Sequence, residues 1–459
     1  MAANGSILML NDDCLLHLFS FFTLKELLVI DRVCERFNNV AQRIYRTYQV
    51  MDFDQIFRKD SIRLTKEDVV EISRRIGPHI HTFRASRVCF AKSILDVCEF
   101  PFEAIEFCSD KKLQNIYFCG FIFISISKEQ MKILSRAFSS LKTAHLQNCT
   151  VTDNFESCFV DSSQLEVLNL IESNPFTGQH LAKLTTITEL NLCYSEPINP
   201  QFFIKFCQRN PQVRKLTIRG CNTLNENCLR AIVSNFRKLE ELSICNSLSV
   251  CLLDYAILAD IVSLKVLQIN YELFENSFTV QMLVMKIAQH ETLEHLELLR
   301  CNSDEAVLND LVGNFKKLKV LKLCHSWHCR DSTLASISCT DTLEELHITH
   351  CRSITPSALK VLITKCKSLR LIDLSHCYRF DFNFLVSIEP HLWNRQQVLE
   401  LVVNCTNISI DLKDSSKNDL KEFLVNNEGR IKLTTTVNDK TWTEMDRYIV
   451  EENEDDEND

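Results

Sequence analysis

The apolar positions of this chain fall into one recurring unit. Leu, Ile or Val stands at positions 1, 4 and 6, and Cys often follows at position 9. Regular copies are Leu165–Leu168–Leu170, Val213–Leu216–Ile218–Cys221, Leu293–Leu296–Leu298–Cys301, Leu343–Leu346–Ile348–Cys351 and Leu369–Ile372–Leu374–Cys377. Less regular copies start at Leu113, Leu141, Ile187, Leu239, Leu264 and Leu318, with weaker ones at Ile80 and Val398. These thirteen starts recur about every 26 residues. Alternation at positions 4 and 6 predicts a short strand with one apolar face. A helical spacing of i, i+3, i+4, i+7 follows in Leu229–Ile232–Val233–Phe236, Leu308–Leu311–Val312–Phe315 and Leu359–Leu362–Ile363–Cys366. The last of these sits behind Thr355-Pro356, an N-cap and first-turn pair. In all three the final helical residue lies three positions before the next repeat's first apolar residue, a register that chance periodicity would not keep.

One strand and one helix cannot bury their apolar sides alone, so such units must stack around a continuous core. The pattern resembles the cysteine-containing class of leucine-rich repeats over residues 80–433. The resemblance implies an α/β fold: a right-handed solenoid of about 12–13 repeats, with strands on the concave face and helices outside. It also assigns Cys149, Cys221, Cys301, Cys351 and Cys377 to the turn that leaves each strand.

Residues 10–47 follow another pattern. Asp12 or Asp13 can cap a helix carrying Leu15, Leu18, Phe19 and Phe22, and Thr23 a second with Leu27, Ile30 and Val33–Cys34 on one side. A third can hold Phe37, Val40, Ile44 and Tyr45. Three helices in about 40 residues make a small core, with apolar residues left over for a partner. The run Leu10-Asn11-Asp12-Asp13-Cys14-Leu15, Leu18-Phe19-Ser20-Phe21-Phe22, Glu26-Leu27, Val33-Cys34 and Phe37 resembles an F-box. Asn11 replaces the usual Pro, losing its rigid entry turn, and Phe37 stands where Trp is common.

An F-box followed by leucine-rich repeats is the layout of substrate receptors of Skp–cullin–F-box (SCF) ubiquitin ligases. The resemblance implies that the F-box docks the Skp adaptor, and through it cullin and RING subunits, while the repeats hold a protein substrate. It implies adaptor contacts at Leu10, Leu15, Leu18, Phe19, Val33, Cys34 and Phe37. Ubiquitin transfer by a separate enzyme would then rest on proximity, with no active site or cofactor in this chain. The expected divisions are a disordered start (1–9), the F-box (10–50), a linker or cap (51–79), the repeats (80–433), and a C-terminal cap with an acidic tail (434–459). The competing expectation is a repeat scaffold outside any such ligase.

Composition narrows the chemistry. The 459 residues include only 7 Gly and 8 Pro, against roughly 30 and 20 in an average chain of this length. No two glycines lie close enough for a nucleotide-binding loop. The 22 Cys contain no C-x-x-C, which argues against zinc ribbons and thioredoxin-type redox chemistry. No basic leader or long apolar stretch is present, so free thiols in a cytoplasmic or nuclear compartment are expected, with no membrane partner. The net charge is −9, but Glu451–Asp459 supplies seven acids, leaving the body near neutral. A nucleic-acid partner is not expected from such a balance.

Positions 3, 5, 7 and 8 should face away from the core. They supply His145, Gln147, Asn169 and Glu172 early, Lys215, Arg219, Glu241, Asn246 and Tyr271 in the middle, and His295, Glu297, Lys322 and Asp373 late. Position 8 reads Arg300, His325, His350 and His376 in successive repeats, with His347 at position 5 and Trp327 and His328 nearby. Arg300, His325, His347, His350 and His376 are therefore the candidate substrate contacts. The plainer reading is that position 8 opens a loop and its side chains serve the backbone. Cys324, His325, His328 and Cys329 have zinc-suited chemistry, but the strand already fixes the first two. In His290-Glu291-Thr292-Leu293-Glu294-His295 the histidines are five apart, one too many for a shared helix face. No metal site is expected. Ser, His and Asp are plentiful, but no nucleophile elbow occurs.

Overall fold

The computed structural model describes residues 7–53, 66–86, 100–123, 126–245, 255–270, 283, 285–288, 290–299, 305, 309, 315–326, 329–337, 342–413 and 418–435. The chain divides into two compact units, Met1–Val266 and Leu267–Asp459. Leu308, Leu311 and Val312 of the second helical pattern, and the acidic tail, lie outside the described residues.

The first unit opens with a short 3-10 turn, Ile7–Met9, and three helices: α1 (Asp12–Phe19), α2 (Leu24–Ile30) and α3 (Glu35–Tyr45). Each helix starts where a polar side chain can take an orphan N–H. Asn11 Oδ1 accepts from Cys14 N, and Thr23 with Glu26 closes a capping box. Leu15, Phe19, Leu27, Leu28, Phe37, Val40, Ala41 and Tyr45 form the core. Asn11 holds φ −72°, the value a proline would impose. The expected loss of the entry turn is therefore not seen: Asn keeps the turn and adds a cap.

The strands follow. The first unit contains β1 (Val50–Asp52), β2 (Thr82–Ser86), β3 (Asn115–Cys119), β4 (Thr143–Gln147), β5 (Val167–Ile171), β6 (Glu189–Cys193), β7 (Lys215–Arg219) and β8 (Glu241–Cys245). All seven neighbouring pairs are parallel and in sequence order. β9 is Val266–Asn270. The second unit holds β10 (His295–Leu299), β11 (Val320–Cys324), β12 (Glu345–His347), β13 (Leu371–Asp373), β14 (Leu399–Val402) and β15 (Ile431–Thr434), again parallel in order. Strands begin two residues after the predicted starts, from Ile80 through Leu369. β1 falls in the stretch expected as linker or cap, and β15 at the last predicted repeat residues.

The repeated Leu, Ile and Val positions are almost wholly buried. Leu216 and Ile218, Leu321 and Leu323, and Leu346 and Ile348 are all at 0% exposure. Each such side chain contributes roughly 1.5–3 kcal/mol through removal from water. The helices Glu226–Asn235 and Pro356–Lys365 occupy their predicted places, the latter capped by Thr355 with Pro at its first position. Its last carbonyls are not left unpaired: Arg395 Nη1 donates to Ile363 O and Cys366 O. This is a leucine-rich-repeat architecture, mixed α/β with parallel strands throughout the described pairs.

Candidate protein-interaction surfaces

Two surfaces emerge from this frame. The first is the three-helix module. Among the described residues, eighteen large apolar side chains are exposed, and seven of them lie between Ile7 and Val33. They are Ile7, Leu8, Met9, Leu10, Phe21, Val29 and Val33, with Met9 at 81% and Phe21 at 76% exposure. Such a concentration on 27 residues marks a surface that lacks its cover.

The sequence-predicted adaptor contacts divide. Leu10 and Val33 are exposed, while Leu18 and Cys34 are partly covered. Leu15, Phe19 and Phe37 are buried, and the Phe19 and Phe37 rings pack edge to face at 5.2 Å. Those three serve the module's core. Val33 and Cys34 lie beyond the end of α2 at Ile30 and not on it: Cys34 Sγ accepts from Phe37 N and caps α3. Phe21 and Val29, missed from the sequence, are exposed because the turn after α1 and one face of α2 point away from the small core.

The entry segment is held by Arg36. Its Nε donates to Asp12 Oδ1 at 2.7 Å, Nη1 donates to Leu8 O at 2.8 Å, and Nη2 donates to Leu10 O at 2.5 Å. One fork thus fixes the apolar run Leu8–Leu10, the start of which was expected to be disordered. The module is also anchored to the next helix, α4 (Lys66–Ile76). Asp31 is 3% exposed; its Oδ2 accepts from Arg75 Nε at 2.9 Å and from Tyr45 Oη at 3.2 Å. Burial and the Asp31 carboxylate push the Tyr45 phenol up. Lys25–Asp68 at 3.0 Å and Arg32–Glu71 at 3.7 Å flank this contact.

The second surface is the strand face opposite the buried leucines. Position 8 has a common conformation. Gly120, Asn148, Glu172, Tyr194, Gly220, His325, His350, His376 and Cys405 all have φ between +51° and +77°. Every described position-8 residue from the Leu113 repeat onward is left-handed. The reason is a shared hydrogen bond: the position-8 N–H donates to the position-7 carbonyl of the next repeat. Asn148 N donates to Ile171 O, Tyr194 to Arg219, His325 to Thr349 and His350 to Ser375. Gly, Asn and His tolerate this conformation better than branched residues. The histidine column thus stands where main-chain bonds set a left-handed turn.

The column has side-chain order as well. The His325 and His350 rings stack at 3.9 Å, and those of His350 and His376 at 4.0 Å. Burial, the two flanking imidazoles and Arg352 pull His350 down to about 2. Arg300, Trp327 and His328 lie outside the described residues. His347 is 7% exposed and bonds Asp373 at 3.4 Å, so it is a buried partner and not an open contact. Ser375 completes a superficially triad-like set, but its Oγ donates to Asp373 Oδ1 at 2.6 Å. The acid stands between the hydroxyl and the imidazole, which is the wrong order for a nucleophile–base–acid relay.

Position 9 explains four of the cysteines. Cys149 Sγ donates to Phe118 O, Cys221 to Leu192 O, Cys351 to Leu323 O and Cys377 to Ile348 O. Each acceptor is the position-6 carbonyl one repeat earlier. Ser173 Oγ and Ser195 Oγ make the same bond to Leu146 O and Leu170 O. Burial pushes the Cys149 and Cys221 thiols up to about 12, so they remain protonated donors. Cys324 and Cys329, of the weighed zinc set, are buried, and burial drives the Cys324 thiol up.

No helix among the described residues is long and apolar enough to cross a membrane. No protein-family model and no curated protein matches this chain. Among solved structures, an internalin (inlF) of Listeria monocytogenes aligns over 84% of this chain and 94% of its own, at a TM-score of 0.43 and 16% identity. A chain of the Rad7 and Elc1 complex of yeast aligns over 80% of this chain and 88% of its own, at a TM-score of 0.47 and 14% identity.

Proposed function

We propose that this chain is the substrate-recognition subunit of an SCF-type ubiquitin ligase. In this reading the three-helix module docks the Skp adaptor and the repeats hold a protein substrate. The carrying observation is the exposed apolar set Leu10, Phe21, Val29 and Val33 on a module with F-box residue order. The anchoring of that module through buried Asp31 supports the same reading. A receptor working by proximity needs its adaptor end and its substrate end in fixed relation, and Asp31–Arg75 ties the module to α4. The chain itself does no chemistry; transfer belongs to the enzyme recruited by cullin and its RING partner.

The test is co-purification of the full chain with the adaptor and cullin. Core positions are poor probes, because Leu15 and Phe37 hold the module together. Phe21→Asp with Val33→Asp should lower adaptor capture at least about tenfold, the scale at which interface anchors act. The far-UV spectrum and melting temperature should not change. Undiminished capture by the double variant would remove the proposal.

A further inference from the structure

Position 5 of the first unit forms a continuous stack across four strands. Arg84, Tyr117, His145 and Asn169 are in strict register from β2 to β5. The Arg84 guanidinium carbon lies 4.6 Å from the centre of the Tyr117 ring. The Tyr117 and His145 rings stack at 4.5 Å with an angle of 8° between them. Asn169 Nδ2 lies 2.7 Å from His145 Nδ1, within hydrogen-bond distance. Burial, with Arg84 adding to it, lowers the His145 imidazole below its ordinary value, so the only fixed cation in the stack is Arg84.

Among the described residues, no carboxylate is paired with that cation. Arg84 is exposed, and among the described residues it forms no ion pair, even though Asp52 sits opposite it on β1. The same row in the second unit is handled differently. There Glu297 meets Lys322 at 3.7 Å and His347 meets Asp373 at 3.4 Å, and all four are buried. The architecture can neutralise position 5 internally, and among the described residues it does so in the second unit and not at Arg84. The Tyr117 ring lies under the guanidinium carbon, and a guanidinium on such a platform suits a carboxylate, which it can bond with two N–H groups. A single guanidinium suits one carboxylate; a nucleic-acid backbone would require several cations along the face.

We infer that the Arg84–Tyr117–His145–Asn169 stack is a subsite for an acidic side chain of an extended substrate peptide. It rests on the receptor reading only in that the peptide belongs to a substrate. Arg84 supplies the fork, Tyr117 is its platform, and His145 and Asn169 are positioning residues for that platform.

The test uses the purified full chain on an array of 12-residue peptides in which each Asp or Glu member has an Asn or Gln twin. Arms with phosphoserine twins and a single-stranded oligonucleotide complete the array. Acidic members should bind at least tenfold more tightly than their amide twins. Arg84→Gln should abolish that preference, Tyr117→Ala should weaken it, and Tyr117→Phe should retain it. All variants should melt as the parent does. Indifference to the acid–amide exchange, an unchanged preference in Arg84→Gln, or a preference for phosphoserine or oligonucleotide alone would each overturn the inference. Adaptor capture, measured on the same preparations, separates the two ideas: acid-selective binding without it sinks the ligase reading and leaves the subsite standing.

Discussion

The two units use one row of positions in opposite ways. In the first, position 5 of β2 to β5 is a stack of half-open planar groups ending in the exposed Arg84. In the second, the same position carries Glu297, Lys322, His347 and Asp373, each below 8% exposure and each facing an opposite partner. The strands, their register and the buried leucines are alike. What differs is whether the row satisfies itself. A self-satisfied row adds constraint to the fold and offers little to a ligand; an unsatisfied one offers charge. The repeats thus divide labour without changing backbone.

The sharpest way to break this contrast is to remove one charge from each row. Lys322→Met leaves Glu297 buried without its nearest cation, and should cost about 3–5 kcal/mol. Arg84→Ala removes an exposed side chain and should stay within about 0.5 kcal/mol. Urea unfolding followed by far-UV circular dichroism reads both. Pairing Lys322→Met with Glu297→Leu should recover most of the first loss, since replacing both members leaves no orphan charge. Equal costs for the two single variants would erase the distinction between the units.

The next contrast lies inside the second unit. His347 and His350 are three residues apart and titrate in opposite directions. Burial drags His347 down, but its bonds to Asp373 and Glu345 carry it above its ordinary value. Its contribution is therefore full below the unfolded-state value and fades as pH rises through the raised one. His350 is depressed to about 2. Above about pH 6.5 neither state holds its proton; below that the unfolded chain takes one and the native chain does not. Stability should fall by roughly 2 kcal/mol between pH 7 and pH 5 from this group. His350→Asn, the residue found at the equivalent position 148, keeps the left-handed backbone and should flatten that acid loss. His347→Gln should do its damage mainly at acidic pH. Parallel stability–pH curves for the two variants would refute the opposed signs.

Much of this was legible before the fold. The repeat register placed the strands because Leu, Ile and Val at positions 1, 4 and 6 have one way to be buried. The helix behind Thr355-Pro356 was readable because cap chemistry is local. The stack was half legible: His145 and Asn169 stood at predicted outward positions, but Arg84 and Tyr117 sit in the irregular copies at Ile80 and Leu113. The mutual stacking of rings is a property of neighbouring repeats, which no single copy states. In the N-terminal module, apolar spacing named Leu15, Phe19 and Phe37 without separating core from surface. Three short helices bury one face each, and which face wins depends on their packing.

The smallest predicted effect concerns the cysteines. If position 9 asks only for a small donor to the position-6 carbonyl of the preceding repeat, Ser and Cys should interchange. Ser173 and Ser195 already make the bond that Cys149 and Cys221 make. A Ser–Cys motif search would have found them; a search for Cys or Asn alone passes over both. Cys221→Ser should therefore shift stability by less than about 1 kcal/mol, the net scale of one hydrogen bond. Cys221→Ala loses the donor and its packing together, and should cost about 1–2 kcal/mol. Melting temperatures of the two variants decide the matter. A serine variant as damaged as the alanine one would mean that sulfur packing, and not donation, holds position 9, and Ser173 and Ser195 would then need a separate account.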